Sequence, residues 1–136
     1  MAFCLIDLEA AGSPMYSEKL SLRVSAERAG WETVEPPTLA GASGVVQRFA
    51  FLAVKGPAKV AFDICEKDVD GIDVVRSYIK KVDTGATVVV ISSGGRRSEI
   101  ASRLAADYGM PILSPDEVGS YLSTRIIQLE ERGLRP

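Results

Sequence analysis

The 136 residues contain no histidine. That absence removes the side chain that most often titrates near neutrality and the commonest protein ligand of zinc, so His-based triads and His-ligated metal sites are excluded. Cysteine is scarce, with only Cys4 and Cys65. A chain of this length buries about 68% of the surface it exposes when unfolded, so it has no need of a disulfide framework, and reduced thiols in a cytoplasmic protein are expected. No apolar run approaches the length of a membrane span, and the Met1-Ala2-Phe3-Cys4 start lacks a basic signal-peptide segment. Charge of one sign is lacking as well: 16 Lys and Arg stand against 18 Asp and Glu, a formal net charge of -2. Such a balance gives no global attraction for nucleic acid, and any phosphate contact has to come from a local patch. The expectation is one soluble domain over residues 1-136, with its core at about 17-131.

What is present is organised around Lys59-Val60-Ala61-Phe62-Asp63-Ile64-Cys65-Glu66-Lys67, an apolar run that ends in charges. The opening Ala2-Phe3-Cys4-Leu5-Ile6 run reads as a short strand or helical turn closed by Gly12-Ser13-Pro14. Ser17 to Ala29 carries Tyr16, Leu20 and Val24 at a helical interval, followed by Gly30 as a stop. Trp31 to Val34 is a brief edge strand ended by Pro36-Pro37, and Thr38 to Gly44 is a small-residue loop. Val45 to Lys55 and Lys59 to Cys65 form an antiparallel hairpin about Gly56-Pro57.

The period then changes. Ile72, Val75, Ile79 and Val82 mark the inward face of a helix from Asp70 or Gly71 to Gly85. Thr87 to Ile91 is a β-branched run of the kind buried on both faces. Arg97 to Tyr108 is a helix with Ile100, Ala101, Leu104 and Ala105 inward, stopped by Gly109. A short strand at Met110 to Leu113 precedes Ser114-Pro115-Asp116-Glu117, a helix start, and Val118, Leu122, Ile126 and Leu129 carry a last amphipathic helix to about Glu131. The fold class is α/β with a mixed sheet.

This order of elements, with Gly41-Ala42-Ser43-Gly44-Val45-Val46-Gln47-Arg48-Phe49 feeding the hairpin, resembles the restriction-endonuclease-like superfamily, nearest its archaeal and Mrr-type members. Tyr78 to Ala86 and Ala105 to Ile112 are similar to the same branch, and the likeness covers roughly residues 17 to 122. It implies a three-layer α/β/α domain and metal-dependent phosphodiester cleavage. The family chemistry uses an Asp at the start of the hairpin and an Asp/Glu-x-Lys triplet on its second strand. Its carboxylates hold Mg²⁺, which activates water, and the lysine assists. Here Ala50 follows Phe49 where the first Asp belongs, and Cys65 stands at the lysine position after Asp63.

Compensation is open to several residues. Strand alternation puts Asp63, Cys65 and Lys67 on one face, so Lys67, or Lys80 or Lys81 from the next helix, can supply an amine, and Glu18 or Glu27 a helix-borne metal ligand beside Asp63. The catalytic candidates are therefore Asp63, Lys67 and Lys80, and the metal candidates Asp63 and Glu27. Mg²⁺ is the implied cofactor if the site is active, and none is expected otherwise. Asp63 also reads as a strand-end carboxylate satisfied by its neighbours, and Cys65 as a small apolar group. Ser92 to Arg97 joins a strand to a helix, so Ser93, Gly94, Arg96 and Arg97 are candidates for phosphate or nucleic acid, or a plain turn. Arg96, Arg97, Arg103 and Arg125 are candidates for a basic face, while Asp68, Asp70 and Asp73 read as helix-start acids. Ile126, Ile127 and Leu129 beside Tyr121 and Leu122 give the last helix a wide apolar face, a hint of a homodimer.

Three functions follow as expectations: a catalytically degenerate nuclease-like domain that binds nucleic acid or oligomerises, an active Mg²⁺-dependent endonuclease or resolvase with a rearranged site, and an α/β domain for a small phosphorylated ligand. The third requires mostly parallel strands.

Overall fold

The computed structural model describes residues 14-131, with side chains described over 19-125. Among the described residues there are four α-helices, α1 (Pro14–Arg28), α2 (Gly71–Thr84), α3 (Glu99–Tyr108) and α4 (Val118–Glu131), and seven strands. The strands are β1 (Glu32–Thr33), β2 (Thr38–Ala40), β3 (Val46–Arg48), β4 (Phe51–Lys55), β5 (Ala58–Cys65), β6 (Thr87–Ser92) and β7 (Ile112–Leu113). The main sheet runs β1-β4-β5-β6-β7, antiparallel through the β4–β5 hairpin and parallel from β5 onward. The expected opening run, its Cys4, and the apolar residues Ile126, Ile127 and Leu129 lie outside the described side chains. Among the described residues no helix is long and apolar enough to cross a membrane.

Alternation along the central strands sorts side chains between two cores. Val60, Phe62, Val89 and Ile91 meet Leu22, Ala26, Val118 and Leu122 of α1 and α4, with Trp31 filling the end of that layer. Trp31 Nε1 donates to Leu122 O at 3.2 Å, so the buried indole keeps a partner. Ala61, Val88 and Val90 meet Val74, Ala101 and Ala105 of α2 and α3 on the other face. Asp63 and Cys65 continue that second face, which points the polar end of β5 at α2. Sequence chemistry starts α2 firmly: Asp70 caps Ile72 N and Asp73 N, Asp73 answers with a bond to Asp70 N, and Gly85 closes the helix at φ 72°.

The structure departs from expectation at two places. The run from Val45 to Lys55 is broken, because Thr38–Ala40 is a strand that pairs with Val46–Arg48 to form a separate small sheet. The chain crosses between sheets at Phe49 and Ala50, whose amides bond Pro37 O and Phe62 O. Second, the apolar face of α2 points outward: Ile72, Ile79 and Val82 are 58%, 57% and 65% exposed, and Ile100 of α3 is exposed too. Periodicity identifies the most apolar face, whereas packing here buries Val74 and Ser77 and turns Tyr78 onto Tyr108, the rings 3.9 Å apart and stacked. Lys81 Nζ donates to Tyr108 O at 2.8 Å, so the inward polar groups are satisfied and no apolar face is needed there.

Candidate active site and its occupied carboxylate

Asp63 sits near the C-terminal end of β5, directly beside Ala50 on the neighbouring chain segment: Phe51 pairs with Phe62, and Ala50 N donates to Phe62 O at 2.9 Å. Ala50 thus occupies the place where a second carboxylate would face the first. Both Asp63 oxygens are already bonded, Oδ2 by Ser77 Oγ at 2.7 Å and Oδ1 by Lys80 Nζ at 3.1 Å. The Lys80 and Asp63 side chains are 27% and 16% exposed, so the pair is shielded from solvent. Lys80 also donates to Arg48 O at 2.6 Å and lies 5.1 Å from the centre of the Phe49 ring. A cleft of about 260 Å³ opens over these groups, and Asp73, Arg48 and Arg76 complete its charged lining.

Cys65 faces the same cleft. Burial raises its thiol pKa from 9.0 to about 11, and the charges of Asp73, Asp63 and Asp70 add to the rise. A thiol held protonated in this way is a poor nucleophile and a poor ligand for a hard cation.

Of the sequence candidates, Asp63 and Lys80 converge. Lys67 does not: β5 ends at Cys65, and the exposed Lys67 lies outside the lining of the cleft. Glu27 does not either, because α1 packs on the opposite face of the sheet and the exposed Glu27 pairs with Arg23 at 2.9 Å. The side chain of Glu18 lies outside the described residues. Mg²⁺ asks for several oxygen ligands, but Ala50 offers a methyl group and Asp63 already answers two donors. Among the described residues no group of three or more His, Cys, Asp or Glu side chains is arranged to hold a metal ion. The residues present do not fit the metal.

The Ser92 to Arg97 turn is committed to holding the chain. Ser93 N donates to Cys65 O, and Arg96 N donates to the Asp68 carboxylate at 2.8 Å, so an internal anion already stands where phosphate was expected. Val69 pairs with Arg97 as a parallel bridge, and a side chain on Gly95 would run into the Lys67 and Asp68 backbone. Gly94 supplies a turn at φ 98°. The expected basic face is dispersed: Arg103 pairs with Glu99 at 3.3 Å, Arg97 stands 3.9 Å from Glu117, and Arg125 Nη2 donates to Thr87 Oγ1. Asp70 and Asp73 serve the helix start, as expected, whereas Asp68 serves the turn instead.

No protein-family model matches the chain, and no curated protein does. The fold is similar to that of AF1548, a protein of unknown function whose crystal structure superposes with a TM-score of 0.61 at 15% identity. The superposition covers 89% of this chain and 67% of that one. At that identity the likeness speaks to architecture alone.

One residue that organises the site's surroundings escaped sequence reasoning. Asp83, in the last turn of α2, accepts from Ser43 N and Ser43 Oγ at 2.8 Å each and from Gln47 Nε2 at 2.9 Å, and its own carbonyl accepts from Ala42 N. Those bonds hold its carboxyl below the ordinary value of 3.8, the Gln47 bond most of all. The Gly41 to Gly44 loop is therefore locked to α2, which fixes Arg48 and Phe49 over Lys80. A carboxylate against the negative end of a helix dipole is the signal that was there to find.

Proposed function

We propose that this domain has the restriction-endonuclease-like fold without its hydrolytic site, and that it works by association, pairing with a second copy through the exposed face of α2. Loss of hydrolysis rests on Asp63, whose two oxygens hold an ammonium and a hydroxyl while the neighbouring position is Ala50. Association rests on Ile72, Val75, Ile79 and Val82, whose 3-4-3 spacing reads the same in both directions along the helix. An antiparallel contact about a two-fold axis then sets Ile72 against the partner copy's Val82, the self-complementarity that an isologous interface requires. Leaving such side chains half exposed forgoes on the order of 1 kcal/mol each relative to burial, which a partner restores.

Calorimetric titration of Mn²⁺ into the wild type and Asp63→Ala, followed by cleavage assays on branched and linear DNA, tests the first part. Neither binding nor cleavage is expected, and saturable binding that disappears with Asp63 would overturn it. Sedimentation equilibrium tests the second: a dimer that Ile79→Asp converts to monomer is expected, and a wild type that stays monomeric at every concentration rules it out.

A second mode of binding is favoured by Arg48 and Arg76, exposed cations that flank the Asp63 cleft and suit a phosphate backbone. Fluorescence anisotropy with branched DNA decides it, since affinity should fall with salt and with Arg48→Ala or Arg76→Ala.

A further inference from the structure

We propose that a cavity at the opposite end of the sheet, where β5 and β6 begin, binds a small organic phosphate. The cavity holds about 510 Å³, within the range of sites for small molecules. Lys59 enters from the start of β5, Arg125 from α4 and Thr87 from the first position of β6, while Leu39 and Pro57 give apolar walls. No carboxylate lines it. In a chain with more acids than bases, a recess walled by two cations and no anion is a local reversal of the overall charge.

Both cations are available. Among the described residues neither Lys59 nor Arg125 belongs to an ion pair. Arg125 makes one hydrogen bond, from Nη2 to Thr87 Oγ1 at 3.2 Å, and its Nε is buried with no acceptor at all. A guanidinium held by one bond and missing another loses little by turning toward an oxyanion, and gains a two-point contact that matches its planar fork. The end of α2 also borders the cavity, but its carbonyls do not repel an anion freely: Gly85 N caps Lys81 O and Thr84 Oγ1 caps Lys80 O. Two positive charges suit a dianionic phosphate better than a single carboxylate, and Leu39 and Pro57 suit an apolar body attached to it.

NMR titration of the ¹⁵N-labelled chain with phenyl phosphate, inorganic phosphate and benzoate tests this. The amides of Lys59, Gly85 and Thr87 should shift with phenyl phosphate at lower concentration than with either other probe. Lys59→Gln, at an exposed position, should weaken that binding about tenfold or more, and Arg125→Lys should weaken it while retaining charge. Asp63→Ala should leave it unchanged, which separates this site from the cleft at the other end of β5. The proposal fails if those amides do not move, if Lys59→Gln binds as wild type, or if benzoate binds as well as phenyl phosphate.

Discussion

Lys80 and Asp63 form a shielded ion pair between α2 and β5, with Nζ 3.1 Å from Oδ1 and the ammonium also bonded to Arg48 O. The lysine thereby ties three elements together: the end of β3, the end of β5 and α2. An amine so engaged acts as a counter-ion before it can act as an acid.

Lys80→Ala should destabilise the fold by about 2 kcal/mol, because it leaves a shielded carboxylate with one fewer donor. Lys80→Ala combined with Asp63→Ala should cost less than the sum of the two single changes, since neither charge is then stranded. Urea unfolding of the four proteins measures the coupling, and strict additivity would mean that the pair contributes nothing.

Supplying a second carboxylate beside Asp63 should create metal affinity. Ala50→Asp places an acid beside Asp63, and Lys80→Ala frees the oxygen that the lysine holds. The double variant is expected to bind Mn²⁺ in a calorimetric titration in which the wild type shows no saturation. A double variant as silent as the wild type would show that the cleft lacks more than one ligand.

Cys65 should react slowly. With the thiol near 11, alkylation by iodoacetamide at pH 8, in a Cys4→Ser background, should run on the order of a hundredfold below that of a free cysteine. Asp73→Asn removes a negative neighbour, lowers the thiol pKa and should raise the rate. A rate equal to that of free cysteine would contradict the burial and charge assigned to this position.

Asp83 should make the Gly41 to Gly44 loop sensitive to acid. Its folded carboxyl titrates below the unfolded value of 3.8, so its stabilising effect is complete above that value and is lost as pH falls through the lower, folded one. The Ser43 amide, followed by NMR from pH 6 downward, should report the loss of its bond in that window. Asp83→Asn should remove the transition. Gly41→Ala should loosen the same loop at neutral pH, because the added methyl meets the Asp83 carboxylate and the Val45 carbonyl.

The chain by itself determined most of the elements, because these rest on local chemistry: Asp70 and Gly85 around α2, Gly109 after α3, the Gly56-Pro57 turn and the β-branched run of β6. It also determined that Asp63 and Cys65 share one face of β5, since alternation along a strand is fixed once the strand is, while the packing decided that this face meets α2. Tertiary structure decided what contiguous sequence does not encode. The most apolar face of α2 lies outward because Ser77, Lys80 and Lys81 all find partners inward, at Asp63 and Tyr108. Asp83 closes a loop 40 residues earlier in the chain. Thr38–Ala40 became a strand only because Val46–Arg48 was placed beside it. Lys59 and Arg125, 66 positions apart in the sequence, share a cavity because the start of β5 and the middle of α4 lie at the same edge of the molecule. Backbone propensity acts over a few residues, whereas a charge or a hydrogen-bond donor is settled by whatever group the fold brings within about 3 Å.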